Sequence, residues 1–227
     1  MARTRRQIVV VGLGRFGLSH ARELASRGHE VLGIDKSAAL VQEAAGALTH
    51  AVVADASDER TLEQIGVASF DLGIVGLGDD ELASILATMA LRRLGLPRVI
   101  ARARNDLHGE ILQRIGADRV VYPERDMGYQ LAHSFYSPSV LDYIDLGPGL
   151  GISKIKVSAD LVGKTMRELE REGSYGLTLL AIQRGEEIVT AQLDDERFRS
   201  IDSIVVMGQD DQIDRLLNRA RRQAGRG

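Results

Sequence analysis

Cysteine and tryptophan are absent from the 227 residues of the sequence, and proline occurs only four times. Without cysteine the chain has no disulfide bond, thiolate metal ligand, iron–sulfur cluster or cysteine nucleophile, and its composition fits a reducing compartment. No apolar run approaches the roughly 18 residues that a membrane-spanning helix needs, and the glycine-broken start does not resemble a secretory signal. We therefore expect a cytoplasmic protein that reaches a membrane only through a partner.

An excess of charge of one sign is also lacking. Lysine and arginine together number 29 and aspartate and glutamate 32, so the net formal charge is -3. This balance excludes a globally basic nucleic-acid binder and gives no general attraction to anionic lipid. The arginines between residues 215 and 226 follow the last predicted strand and are better explained as a solvated helix end than as a DNA contact. We expect no nucleic-acid partner.

The first 135 residues alternate short β-branched runs with amphipathic stretches of helical length. Strands separated by helices form βαβ units and therefore a parallel sheet. The pattern predicts a Rossmann-like, doubly wound α/β domain, in which two of the helices start after Asp58 and Asn105. The six predicted strands cover residues 8–11, 30–34, 50–54, 71–75, 98–101 and 119–122.

Residues 136–150 are punctuated by serine, proline and glycine, which predicts a connector between two domains. The following residues, 151–227, predict a smaller α+β module. A turn at 184–186 predicts a hairpin between two of its strands. We expect strands at 152–157, 177–183, 187–190 and 203–207 and helices at 161–172 and 211–222.

A G-x-G-x-x-G motif at residues 12–17 directly follows the first strand and opens a helix, which is the context that the motif needs. Gly12 permits a tight turn, Gly14 lets a diphosphate approach the backbone, and Gly17 lets the helix pack close to the sheet. The helix N-terminus supplies unpaired N–H groups and a partial positive charge for phosphate. Arg15 lies in the first turn, where an anionic ligand would offset the unfavourable effect of the helix dipole on a cation.

Asp35 ends the second predicted strand, close to the separation from the glycine motif that nucleotide-binding folds show. Its carboxylate can accept hydrogen bonds from both hydroxyls of a ribose and would repel a 2′-phosphate, which disfavours NADP. Either ATP/ADP or NAD/NADH satisfies this requirement, so Asp35 leaves the choice between them open.

Six segments match one known family in order and spacing: residues 11–17, 28–35, 49–56, 115–121, 122–128 and 140–146. Through them the sequence resembles the cytosolic RCK (also called KTN) regulatory subunits of Ktr- and Trk-type potassium-uptake systems. The match covers nearly the whole chain, which makes it far more specific than the glycine motif alone.

The resemblance implies an RCK N-terminal domain (1–135) that binds a nucleotide, a connector (136–150) and an RCK C-terminal domain (151–227) that dimerises. It also implies homodimers that assemble into an octameric ring beneath a potassium-translocating membrane subunit. Ktr-like members bind ATP and ADP, and Trk-like members also bind NAD/NADH. Arg15 and the proline–glutamate pair at 123–124 favour ATP/ADP here. The second module does not align securely with relatives that bind cyclic di-AMP, so that ligand is not predicted.

The residues that the resemblance assigns to the nucleotide are Gly12, Gly14, Arg15, Phe16, Gly17, Asp35, Lys36, Asp55, Ala56 and Arg102. Arg15 matches an arginine that reaches a terminal phosphate, in some members from the neighbouring subunit. Asp55 and Ala56 match a loop at the adenine edge, and Arg102 matches a basic position near phosphate. Glu124 matches a glutamate at a site for a divalent or monovalent cation between two bound ATP molecules.

A small NAD-dependent oxidoreductase is the competing interpretation, because it would share the first domain. Such an enzyme needs a proton donor in a substrate pocket. None of the five histidines stands at a recognisable catalytic spacing from a carboxylate, and the sequence has no Tyr-x-x-x-Lys motif or zinc-type cluster. We therefore expect no enzymatic activity. The bound nucleotide is expected to bias the shape of the assembly.

Overall fold

Four consecutive apolar residues, Ile8 to Val11, form an interior strand of the first sheet. In the computed structural model, which describes residues 5–136 and 139–224, they lie in strand β1 (Gln7–Val11). Ile8 and Val10 pack into the core on one face of the sheet, and Val9 and Val11 pack into the core on the other. A strand covered on both faces needs an apolar side chain at every position, which is why this run does not alternate.

Strand β1 belongs to a compact unit, Met1–Pro123, in which parallel strands alternate with helices. The sheet order is β3-β2-β1-β4-β5-β6, which confirms the predicted doubly wound fold. The order reverses at β1, so a crevice forms there at the carboxyl ends of the strands. The remaining elements are α1 (Arg15–Ser26), β2 (Glu30–Asp35), α2 (Ala38–Ala44), β3 (His50–Val53), α3 (Glu59–Ile65), β4 (Leu72–Val75), α4 (Glu81–Arg93), β5 (Val99–Arg102), α5 (Asp106–Arg114) and β6 (Arg119–Val121).

The second compact unit, Glu124–Gly227, is built on an antiparallel sheet of order β10-β9-β11-β8-β7. Its core contains Phe198, Leu169 and Ile182, each no more than 1% exposed. The predicted hairpin is confirmed, with Gly185 at a φ of 64° between β9 and β10. The elements are α6 (Pro123–Tyr136), β7 (Val140–Gly147), β8 (Leu150–Lys156), α7 (Met166–Gly173), β9 (Thr178–Arg184), β10 (Glu187–Val189), β11 (Asp202–Gln209) and α8 (Asp210–Ala224).

Several boundaries differ from the expectations. The first compact unit ends at Pro123, whereas the sequence places the domain boundary at residue 135, within α6. The expected connector 136–150 contains strand β7, which pairs along β8. Helix α7 begins at Met166 and not at residue 161, because Gly163 has a φ of 81° and Thr165 forms a capping box with Glu168.

An ion pair in the second unit is enclosed by the fold. Asp202 is fully buried and accepts hydrogen bonds from Nε and Nη2 of Arg184, both at 2.9 Å, and from the backbone N–H of Arg199. Glu196 adds a second carboxylate at 2.9 Å from Nη1 of Arg184.

Within residues 5–136 and 139–224, no helix combines the length and apolar character that crossing a membrane requires.

Candidate functional site

The glycine loop between β1 and α1 is held by close backbone contacts. Gly12 has a φ of 86°, and its N–H donates to the carbonyl of Ile34 at 2.8 Å. A Cβ on Gly17 would lie only 1.8 Å from the carbonyl oxygen of Gly12. Only glycine therefore lets the first turn of α1 pack against the loop, as the motif predicts.

The start of α1 is an uncapped, positively charged helix end. Gly14 is the N-cap residue and provides no side-chain acceptor, and the first turn contains no acidic residue. The N–H groups of the first turn have no partner within the helix and point outward. Arg15 is exposed, and within the described part of the chain its side chain makes no hydrogen bond or ion pair. This geometry suits the phosphate of a ligand.

Asp35 connects the glycine loop to the end of β2. Its Oδ2 accepts a hydrogen bond from the backbone N–H of Leu13 at 2.7 Å, and its Oδ1 accepts one from the N–H of Ser37 at 2.8 Å. Asp35 is half-buried. Each carboxylate oxygen has a further lone pair, so the side chain can order the loop and still accept a bond from a ribose hydroxyl.

The predicted adenine-edge residues follow β3. Nζ of Lys36 lies 3.1 Å from Oδ2 of Asp55, and the other oxygen of this carboxylate accepts bonds from the hydroxyl and the N–H of Ser57. Hydrogen bonds from the Ser57 hydroxyl and from the Ser57 N–H, followed by Lys36, hold the pKa of Asp55 below its usual value against the effect of burial, so the group is ionised at neutral pH. Ala56 is 4% exposed and packs in the core, which leaves its backbone as the part that can face a ligand.

Arg102 and Phe16 come together on the other side of the glycine loop. The Arg102 Cζ lies 5.7 Å from the centroid of the Phe16 ring. The Arg102 side chain is 14% exposed, and its Nη2 lies 4.0 Å from the exposed carboxylate of Asp79. Gly78, which follows β4, lies against the guanidinium group. The ends of β1, β4 and β5 therefore place an arginine beside the start of α1.

Glu124 is the one predicted site residue that belongs to the second compact unit. It is exposed in the first turn of α6, next to Arg125. No group of three or more histidine, aspartate or glutamate side chains in the described part of the chain is placed to hold a metal ion. Among the described residues, Glu124 is therefore not part of a three-residue set of this kind.

Sequence reasoning missed three residues that contribute to the site. Ser37 caps α2 through its side chain and supplies an N–H to Asp35. Gly76 and Gly78 follow β4, and a Cβ on Gly76 would lie 3.2 Å from the carbonyl oxygen of Gly12. The signal was available in the sequence, because paired glycines directly after the strand next to β1 indicate close packing at the edge where the sheet order reverses.

Comparison with known proteins matches both halves of the chain. Residues 8–123 match the TrkA-N domain family, and residues 151–221 match the TrkA-C domain family. The chain is 37% identical over 215 residues to the Ktr system potassium uptake protein C of Bacillus subtilis, covering 95% of this chain and 97% of that one. It is 38% identical over 213 residues to the Ktr system potassium uptake protein A of the same organism, covering 94% and 96%.

Solved structures show the same fold at lower identity. The GsuK RCK domain aligns with a TM-score of 0.64 and 20% identity over 96% of this chain, which spans 48% of that one. A GsuK channel bound to NAD aligns with a TM-score of 0.64 and 21% identity, over 96% of this chain and 40% of that one. These alignments show the fold, and the two domain matches and the two Bacillus relatives show that the chain belongs to the TrkA-N/TrkA-C family, which includes the Ktr system potassium uptake proteins A and C.

Proposed function

We propose that the chain is a regulatory subunit of a Ktr-type potassium-uptake system that binds ATP or ADP at the carboxyl edge of its first sheet. The similarity to the Ktr system potassium uptake proteins A and C of Bacillus subtilis supports the assignment to a potassium-uptake system. The observation that carries the ligand is the start of α1, where free N–H groups and the exposed Arg15 face no acidic residue of the first turn. Such a helix end is stabilised by an anionic group.

NAD or NADH is the second candidate for the same site. Asp35 can accept hydrogen bonds from the ribose of either ligand, and a solved GsuK channel is described as bound to NAD. Arg15 favours ATP or ADP, since a cation at the start of α1 suits a terminal phosphate better than a neutral nicotinamide ribose. The carboxylate of Asp35 disfavours the 2′-phosphate of NADP.

The proposed signal is the difference in charge between the two nucleotides. ATP brings one more phosphate than ADP to the start of α1, and Arg15, of the same or a neighbouring subunit, would neutralise it. Such a ligand can shift the shape of an assembly only by its difference in affinity for the two shapes. We place this shift in a homodimer that assembles into an octameric ring on the cytoplasmic side of a potassium-translocating membrane subunit, with no enzymatic reaction.

A cation belongs to the proposal only as part of a larger site. Glu124 supplies one carboxylate, and the described residues of this chain do not complete a set of three. Two further kinds of oxygen ligand could be present in the assembly, namely nucleotide phosphates and the Glu124 of a second copy. No step of the proposed signal depends on this ion.

The proposal is tested by identifying the bound nucleotide. Purified protein is denatured, the released small molecules are analysed by mass spectrometry, and calorimetry then measures binding of ATP, ADP and NAD. The Arg15→Ala variant is expected to lose about tenfold or more in ATP affinity and less in ADP affinity, because a charge-assisted bond to the terminal phosphate is lost. Arg22→Ala, on the same helix but paired with Glu43 at 3.5 Å, is the matched control.

Three results would contradict the proposal. Absence of heat with every adenine compound, on protein shown to be folded, would remove the nucleotide function. An equal loss of ATP and ADP affinity in Arg15→Ala would remove the role in reading the terminal phosphate. Turnover of NADH with a small carbonyl substrate would favour the oxidoreductase interpretation instead.

A further inference from the structure

We propose that Gly78 and Phe16 are positioning residues that fix the guanidinium group of Arg102 for the phosphate chain of the nucleotide. Gly78 leaves the space that the guanidinium group fills, and Phe16 presents the ring over which it lies. The inference rests on the proposed function, because it specifies how the nucleotide site holds its second cation.

The space beside Gly78 is filled by the end of the Arg102 side chain. A Cβ built on Gly78 would lie 2.6 Å from Cζ, 2.7 Å from Nε and 2.9 Å from Nη1 of Arg102. Any side chain at position 78 would therefore displace the guanidinium group. Fixing an arginine side chain ordinarily costs conformational entropy, because several rotatable bonds are restricted. The Arg102 side chain is only 14% exposed, so the fold already restricts it.

Phe16 supplies a second contact to the guanidinium group. The Arg102 Cζ is 5.7 Å from the centroid of its ring, within the range of a cation–π interaction. Phe16 lies in the first turn of α1, beside Arg15, so this contact fixes Arg102 next to the proposed phosphate position. The Phe16 ring is itself supported by the ring of His20, with centroids 4.3 Å apart.

A side chain held in this way favours binding, because the ligand does not have to order it. Fixing a flexible side chain on binding consumes part of the gross interaction free energy, and a group that is already in place avoids that loss. The effect should grow with the number of ligand phosphates, since only charged ligands gain from the arginine. Adenosine, which has no phosphate, should be insensitive to it.

Gly78→Ala is a selective way to move Arg102. The φ of Gly78 lies outside the left-handed region, so alanine fits its backbone. The atoms that the new Cβ meets are the far end of a flexible side chain, which can move away without shifting the backbone. We expect Gly78→Ala to remain folded, to lose about tenfold in ATP affinity and to keep its affinity for adenosine.

Variants at Phe16, Arg102 and Gly46 complete the experiment. Phe16→Leu removes the ring but keeps an apolar side chain, and should reduce ATP affinity by roughly two- to fivefold, with recovery in Phe16→Tyr. In an Arg102→Ala background, Gly78→Ala should cause no additional loss, because its effect passes through the arginine. Gly46→Ala is the matched control, since a Cβ there has no neighbour within 4 Å.

Two outcomes would overturn the inference while leaving the proposed function intact. The first is an equal effect of Gly78→Ala in the wild-type and Arg102→Ala backgrounds, which would mean that residue 78 shapes the site independently of the arginine. The second is a loss of adenosine affinity as large as that of ATP. Failure of the wild-type protein to bind any adenine nucleotide would instead overturn the proposed function, and the inference with it.

Discussion

The backbone N–H of Leu13 donates a 2.7 Å hydrogen bond to Oδ2 of Asp35, across 22 positions of the chain. The contact joins the middle of the glycine loop to the end of β2. The carboxylate therefore orders the loop, and it keeps lone pairs that can accept hydrogen bonds from the ribose of the proposed nucleotide.

Asp35→Ala is expected to weaken both the fold and ligand binding. The N–H groups of Leu13 and Ser37 would lose their acceptor, and a half-buried donor without a partner costs about 1–3 kcal/mol. Nucleotide affinity should fall further because the ribose contact is lost as well. Chemical denaturation and calorimetry measure the two effects. Glu63→Ala, at an exposed carboxylate of α3, is the control, and an Asp35→Ala protein of unchanged stability would contradict this account.

Alanine at two glycines of the loop should separate folding from binding. A Cβ on Gly17 meets the Gly12 carbonyl, so Gly17→Ala must displace the helix or the loop and should lower the melting temperature and abolish nucleotide binding. Gly14 has a φ of -63° and no neighbour within 4 Å of its Cβ position. Gly14→Ala should therefore fold normally and lose affinity only because the methyl group obstructs the phosphate. Unchanged nucleotide affinity in Gly14→Ala would show that no ligand approaches the backbone there.

The buried pair of Arg184 and Asp202 should dominate the stability of the second unit. Burial is the largest single influence on Asp202 and raises its pKa, but the hydrogen bonds from Arg184 and from the Arg199 N–H, together with the charges of both arginines, outweigh it and lower the pKa. Asp202→Ala leaves a nearly buried guanidinium group without its bidentate partner, which costs about 3–5 kcal/mol. Glu110→Ala, which breaks an exposed pair with Arg114 at 2.7 Å, should change stability by less than about 0.5 kcal/mol. Urea unfolding of both variants checks the contrast, and equal effects would refute it.

His108 should make the stability of the first unit depend on pH. It is 1% exposed, and burial lowers its pKa below the ordinary value of 6.5, although Glu81 acts in the opposite direction. The folded state therefore holds His108 neutral at pH values where the unfolded chain is protonated, so stability should fall as the pH drops below about 6.5 and level off below the folded pKa.

His108→Leu is the variant that tests this pH dependence. It should flatten the change in unfolding free energy between about pH 7 and about pH 5.5, because the titrating group is gone. His50→Leu removes an exposed histidine and controls for the substitution itself. An unaltered slope in His108→Leu would exclude His108 as the source.

The first unit could be predicted closely from the sequence because its signals are local. The apolar run of β1, the glycine motif and the N-caps Asp58 and Asn105 each act within a few residues, and each appears where expected. Strand β7 could not be predicted in the same way. Its pairing with β8 shifts register between Val140 and Asp142 and again between Asp145 and Gly147, which breaks the period of two that identifies a strand.

The sequence predicts the candidate site as a list of residues, and the contacts between those residues could not be predicted from it. The Lys36–Asp55 ion pair joins the ends of two strands, and the position of Arg102 against Gly78 joins two others. Neither contact produces a periodic pattern in the sequence, because both contacts depend on which strands become neighbours in the sheet. Ala56 shows the same limit, because its position after β3 does not reveal that its methyl group faces the core.

The sheet order also has a consequence for protein synthesis. A hydrogen bond of 2.8 Å from the N–H of Gln7 to Asp71 connects the start of β1 to the approach of β4, 64 positions later. Contacts between such distant segments form slowly, because a long loop has to close first. While the ribosome has not yet delivered β4, the nascent chain has the glycines at 12–17 but lacks the wall that Gly76 provides. The proposed nucleotide site is therefore incomplete until most of the first unit has been translated.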